Sequence, residues 1–275
     1  MSPDLTSKDG TAHISREILR ANRNRKILHH SLSIAMPFFL LLLWEILSRQ
    51  GWIDTRFFSM PSQIAVAFWK LIENGQLLKD VTASLTRVLV GFAIGGIPGI
   101  IIGILMGQSS VIRSLLNPIV AAIYPIPKLA ILPLLLYIFG LGEASKYAVI
   151  AIGVFFILVV NTMTGAMGVP AIFTEVGKEY GASRLTIFRT IVLPSALPVI
   201  FAGIKLAWGT AFLLIVAAEF VGAKSGIGYL IWNSWQVFSI EQMYVGLIVI
   251  AFLGFITLLI LDGLEAKLLP WRKHV

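Results

Sequence analysis

The chain has 275 residues and a formal net charge of +8, yet only 13% of its residues are charged and 57% are hydrophobic. Soluble domains carry about 25% charged residues, so the composition excludes an ordinary soluble protein and points to one polytopic membrane unit. The absence of cysteine excludes a disulfide framework, a thiolate metal site and a thiol nucleophile, and the basic balance fits cytoplasmic membrane-protein segments better than nucleic-acid binding.

Residues 1–30 are polar and include Arg16, Arg20, Arg23, Arg25 and Lys26. No small-residue cleavage site follows the apolar run that starts near Ser31, so a basic cytoplasmic tail (1–30) leading into an uncleaved span is expected. A spanning helix needs about 20 apolar residues. Six segments qualify: 31–49, about 82–107, about 114–139, about 146–167, about 196–221 and about 242–264, within a transmembrane domain of 31–275. With the N-terminus inside, thirteen Lys and Arg fall in inside segments and six in outside segments, so both termini are expected in the cytoplasm. Segment 50–80 then lies outside. Its stretch PSQIAVAFWKLIENG spaces Ile64, Phe68, Leu71 and Ile72 as one face of an amphipathic surface helix.

Within the spans, Gly91, Gly95, Gly99, Gly103 and Gly107 recur every four residues. On a helix that spacing forms one groove for close approach of a neighbour, with Pro98 placed to kink it. Arg87, Lys128 and Glu219 are charges in apolar surroundings, where they need a cavity or a partner. Arg87 and Lys128 are candidates to present positive charge along a substrate pathway, with interfacial snorkelling the alternative for Arg87. Glu219 is also a pathway candidate, with pairing to a cation the favoured reading, and Lys205 is expected to make a structural ion pair. Lys128 sits in PIPKLAILP, where Pro125, Pro127 and Pro133 disturb the helix. Asn161, Thr162 and Thr164 are expected to hydrogen-bond between helices, with Asn161 also a pathway candidate. Trp44, Trp52, Trp232, Trp235 and Trp271 fit an interfacial belt.

One segment stands out between the fourth and fifth spans: AIFTEVGKEYGASRLTIFRTIVLPS, residues 171–195. It is too long for a tight turn and too apolar for a solvated linker, given Val176, Tyr180, Leu185, Ile187, Phe188, Ile191 and Val192. Gly181 splits two helix-prone pieces, 172–180 and 183–192, and Pro194 is expected to stop or restart the chain before span five. The apolar residues call for a partner surface.

That segment resembles the cytoplasmic loop of permease subunits of bacterial ABC importers, whose pattern runs E-A-A, three residues, G, nine residues, I, one residue, L-P. Here Glu175, Val176 and Gly177 open the pattern, Gly181 follows three residues later, and Ile191, Leu193 and Pro194 close it. The spacing matches throughout; the departures are Val176 and Gly177 at the two alanines. SLTRVLVGFAIGGIPGIIIGILMG, PIPKLAILPLLLYIFGLGEASK, NTMTG, AAEFVGAKSGIGYLI and LEAKLLPW are similar to the nitrate/sulfonate/taurine branch, over roughly 60–270 with a family-like core at about 80–265. The resemblance implies an all-α, six-span type I importer permease. It implies a second permease copy, two cytoplasmic ATPases that hold ATP and Mg, and an extracytoplasmic binding protein. It also implies a coupling helix formed by Glu175, Val176, Gly177, Glu179, Tyr180, Gly181, Ala182, Arg184, Ile191, Leu193 and Pro194. The substrate expected is a small anion such as an aliphatic sulfonate, taurine or nitrate, with a thiamine-precursor-like or other small heterocycle as the alternative.

This chain has no G-x-x-x-x-G-K-[ST] loop, since VGAKSGIG has the wrong spacing, so it is not expected to hydrolyse ATP itself. His13, His29, His30 and His274 lie in the tails and no H-E-x-x-H occurs, so no metal site is expected. A membrane-embedded enzyme lacks a visible catalytic set. An ion-gradient-driven secondary transporter lacks a visible inverted repeat.

Overall fold

The computed structural model describes residues 35–271. The basic tail 1–30, the start of the first apolar segment and all four histidines lie outside the described residues. The chain divides into two compact units, Met1–Ala65 and Val66–Val275. Among the described residues every regular element is helical.

In the first unit residues 35–49 are helical (α1) with an almost continuous exposed apolar surface. Glu45 is the exception to that surface. It pairs with Arg49 at 2.7 Å and accepts the backbone N–H of Ser62 at 3.0 Å and its hydroxyl at 2.9 Å. Ser62 lies in the first turn of α2 (Pro61–Glu73), so a carboxylate there meets an amide with no helical partner. The apolar face read on α2 divides: Ile64 and Leu71 are buried, whereas Phe68 and Ile72 stay exposed beside Val66 and Trp69.

The second unit is built on α3 (Gln76–Gln108), α6 (Glu143–Met167), α9 (Leu193–Phe220) and α11 (Ile240–Leu268). Helix α3 runs unbroken through Pro98 and starts six residues before the apolar segment predicted from Thr82. The early start is possible because Asp80 finds a polar partner inside the protein; a reading by hydropathy stops at such a charge. Between α3 and α6 the predicted third span is broken. Helices α4 (Ser110–Ile123) and α5 (Leu132–Phe139) are joined by a 3-10 turn at Lys128–Ile131 and bent by 85°. Pro125 and Pro127 cannot donate to the preceding turn, so the helix ends there. The short helix α10 (Ile227–Gln236) stands between α9 and α11.

Among the described residues four helices are long and apolar enough to cross a membrane: 76–108, 143–167, 184–220 and 240–268. The bent pair makes up to five. The first predicted span begins outside the described residues. Helix α6 occupies the centre, packed between α3 and α9, over a core that includes Val88, Val149, Val154, Leu158, Trp208 and Ile215. Trp208 stacks edge-on against Phe92 and Phe212 and donates its indole N–H to Thr257 of α11 at 2.8 Å.

The glycine ladder explains how closely α3 and α6 approach. A Cβ at Gly91 meets Ile150 at 2.7 Å, at Gly99 the Phe155 carbonyl at 2.9 Å, and at Gly103 the Thr162 side chain at 2.6 Å. At Gly95 it collides with the Ala151 backbone, and Gly107 faces Ala166. All five glycines therefore line one seam against α6. Two backbones approach this closely only where a side chain is missing.

Candidate functional site

The segment between α6 and α9 forms two helices at an angle set by one glycine. Helix α7 (Ala171–Glu179) ends in a Schellman motif. Gly181 has φ +72° and donates to the Lys178 carbonyl at 2.8 Å, and Ala182 donates to the Gly177 carbonyl at 2.9 Å. Space is not the constraint at Gly181, since nothing lies within 4 Å of a Cβ built there; the left-handed backbone is. Ser183 then caps α8 (Arg184–Ile187), its hydroxyl accepting the Thr186 N–H at 3.2 Å.

Helix α8 runs through a π turn at Phe188–Val192 directly into α9. Of the expectation that Pro194 stops or restarts the chain, the stop is corrected: α-helix resumes at Leu193, and residues 184–220 form one apolar helical stretch of 37 residues. A proline cannot donate to the carbonyl four residues back and its ring crowds that carbonyl. The helix widens to a π turn just before Pro194, a local adjustment that relieves such crowding.

The apolar residues of this segment divide by role. Ile187 and Val192 are buried and Phe188 and Ile191 half-buried, so they hold the joint together. Val176, Tyr180 and Leu185 remain exposed, Tyr180 by 88%. Ile172 and Phe173 join them; they precede the motif and were not singled out from sequence. Glu175, Glu179, Arg184 and Arg189 are exposed around them. Gly177, a departure from the family pattern, has a packing reason. A Cβ there comes within 3.1 Å of Ile191 and 3.2 Å of Ile187, so the small residue lets α7 lie close to the π turn. Nothing in the structure explains valine rather than alanine at 176.

At the opposite ends of these helices lies a buried ion cluster. Arg87 of α3 donates Nε and Nη2 to the two oxygens of Glu143, at 2.6 and 2.7 Å, and Nη1 to Glu219 at 2.7 Å and to the Ser225 carbonyl at 2.6 Å. Glu219 of α9 also accepts from the Ser84 hydroxyl at 2.8 Å and from the Gly228 N–H at 2.8 Å. Arg87 therefore does not snorkel to an interface. It is an internal cation whose charge is met by two carboxylates. Glu219 pairs with it, and its side chain is fully buried. Its carboxylate is enclosed by the Arg87, Ser84 and Gly228 donors, the cation pairing expected for it.

The turn SGIG completes the cluster. Three successive amides point inward, Gly226 to Asp80 at 2.8 Å, Ile227 to the Ser84 hydroxyl at 2.8 Å and Gly228 to Glu219. They are the unpaired donors at the start of α10. In phosphate-binding loops such amides receive a ligand; here the chain's own side chains receive them. Gly226, with φ +120°, is the residue that permits the turn, since a Cβ there collides with the Glu219 carboxylate.

Lys128 uses its ammonium group to close the bend of the broken span. It donates to the carbonyls of Ile123, Tyr124 and Ile126 at 2.8 to 3.0 Å and lies 5.1 Å from the Phe156 ring centre. Asn161 donates to the Ile157 carbonyl of its own helix at 2.8 Å, and Thr164 to Val160 likewise. The expected hydrogen bonds between helices are thus corrected for these two; own-helix carbonyls four residues back are in reach without any neighbour. Lys205 of α9 pairs with Asp262 and Glu265 of α11. Of the tryptophans, Trp232 stacks between Phe220 and Trp235 rather than standing alone at a surface.

Glu143 and Lys146 were missed as site residues. Lys146 is buried and donates to the carbonyls of Leu141 and Gly142 at 3.1 and 2.9 Å. The available signal was the GLG turn at 140–142 directly before two charges and an apolar run.

A broken third span, a glycine-seamed pair of long helices and a helix–glycine–helix joint leading into the longest span define an ABC importer permease of the type I fold. The chain belongs to the inner-membrane components of binding-protein-dependent transport systems, whose family profile matches residues 99–273. It is 33% identical to a putative aliphatic sulfonates transport permease of Bacillus subtilis over 94% of this chain and 93% of that one. It is 30% identical to the taurine transport system permease of Escherichia coli (89% and 91% covered). It is also 30% identical to a nitrate import permease of Leptolyngbya laminosa (89% and 90%). An inward-facing structure of the MetNI methionine ABC transporter shares the fold, with a TM-score of 0.62 and 19% identity over 70% of this chain and 95% of that one.

Proposed function

We propose that this inner-membrane permease imports a small oxyanion, an aliphatic sulfonate, taurine or nitrate, as one of two identical copies working with two ATPases and an extracytoplasmic binding protein. The observation that carries the substrate class is the likeness, over nine-tenths of the chain, to permeases named for sulfonates, taurine and nitrate. Both termini lie in the cytoplasm, with 1–30 a basic tail and 31–275 the membrane domain. That orientation puts α7 and α8 inside and the Arg87 cluster at the outer ends of its helices. ATP and Mg belong to the partner ATPase.

In this reading α7 and α8 are the coupling element. Glu175, Val176, Gly177, Glu179, Tyr180, Gly181, Ala182 and Arg184 form the docking part, and Ile191, Leu193 and Pro194 form the joint to α9. A lever must be rigid and must dock. The Schellman bend and capped α8 support rigidity, and Val176, Tyr180 and Leu185 offer apolar contact ringed by charge. ATP binding closes the ATPases, draws the two coupling elements together and turns the pathway outward. Arg87, Lys128 and Asn161 are its pathway residues; Lys128 acts through the carbonyls it gathers at the bend. The assembled importer in proteoliposomes tests the substrate class. Uptake of taurine, ethanesulfonate or nitrate that requires ATP and a binding protein is expected, and ATP hydrolysis without uptake of any of them refutes it.

A further inference from the structure

The guanidinium of Arg87 has two edges with different surroundings. Its inner nitrogen, Nη1, is held by Glu219 and the Ser225 carbonyl, and both Arg87 and Glu219 are buried. Its outer edge, Nε and Nη2, makes a parallel two-point contact with Glu143. Glu143 differs from Glu219 in one respect: its side chain is 50% exposed. It is the first residue of α6, directly after the turn at 140–142, and the Lys146 ammonium lies 4.0 Å from its carboxylate. Beside it opens a cleft of about 390 Å³ lined by Lys79, Thr82, Thr86, Arg87, Glu143 and Tyr147. The cleft thus contains one ammonium, three hydroxyls and the fork.

We propose that the Arg87–Glu143 fork is a switchable oxyanion site, in which a sulfonate or nitrate group takes the outer edge of Arg87 when the Glu143 carboxylate swings out into water. The proposal rests on the oxyanion reading above. Two oxygens of a sulfonate or nitrate match the fork as a carboxylate does, and Lys79 and Tyr147 line the same cleft, whereas the Thr82 and Thr86 hydroxyls already donate to carbonyls of their own helix. Arg87 keeps its position meanwhile because its inner edge stays bound. The charge also balances. Arg87, Lys146 and Lys79 face Glu143, Glu219 and Asp80, so departure of Glu143 leaves one positive charge unmet, and the arriving anion meets it. Competition from a tethered carboxylate keeps the affinity low, which suits a site that must release what it binds.

Calorimetry on the full-length permease in nanodiscs, titrated with methanesulfonate and with nitrate, tests this. Glu143→Gln keeps the shape and removes the charge, so it should tighten binding by tenfold or more over the natural protein. Adding Arg87→Lys, which keeps the charge and removes the fork, should abolish that gain. No gain in Glu143→Gln, or a gain that survives Arg87→Lys, overturns the site. If the double variant does not fold, Lys79→Gln and Tyr147→Phe in the Glu143→Gln background should each weaken binding several-fold, and unchanged affinity overturns it. Sulfonate uptake by the assembled importer with no such binding refutes this site alone. Binding without uptake of any sulfonate or of nitrate refutes the substrate reading alone.

Discussion

Arg87 ties together distant parts of the chain. Three helices and the 225–228 turn meet on its guanidinium or on the carboxylate it binds. Removing one partner of a buried ion pair costs about 3–5 kcal/mol, because the other charge stays buried. Arg87→Met should therefore lower stability by that order, read by denaturation of the detergent-purified permease. Arg87→Met with Glu219→Gln should recover part of it, since the fully buried Glu219 then no longer carries an uncompensated charge. Gly226→Ala should be as damaging as a core substitution although it adds one methyl, because the left-handed turn and the Glu219 carboxylate leave it no room. Sequence showed Arg87 and Glu219 as charges in apolar runs that needed partners. It did not show that each was the other's partner, because 132 residues separate them. Glu143 went unnoticed because a carboxylate at a helix start is ordinary on a surface.

At the scale of elements, the joint between α7 and α9 is where a small change has a long reach. Gly181→Val adds no clash but forces a β-branched residue into a left-handed backbone, at a cost of about 1–2 kcal/mol. In the proposed coupling role it should leave the permease in the membrane and reduce ATP-driven uptake tenfold or more; normal uptake refutes that role. The π turn makes a sharper case. It is followed directly by regular α-helix, where one alanine inserted after Ser195 rotates α7 and α8 by about 100° relative to the rest of α9. The ATPase should still bind the apolar patch while hydrolysis no longer drives uptake, measured as the ratio of the two rates. The bend at Gly181 was legible because a glycine between two helix-prone pieces has few other uses. The π turn was not, since sequence marks Pro194 as a breaker and only the packed helix shows how it is absorbed.

For the molecule as a whole, orientation is the property most cheaply tested, because the natural chain has no cysteine. In intact cells a membrane-impermeant maleimide should label Lys224→Cys, in the turn after α9, and spare Lys178→Cys in α7; the reverse pattern inverts the topology. The sequence by itself determined that this is an all-helical membrane permease, roughly where its spans lie and where its joint bends. Hydropathy, helical period and glycine are local properties that no neighbour can hide. Only the tertiary structure decided that the glycine seam faces α6, that the third span breaks by 85° and that the intramembrane charges satisfy one another. Those facts depend on which distant segments meet, and a buried charge far along the chain is recognised only by what lies against it.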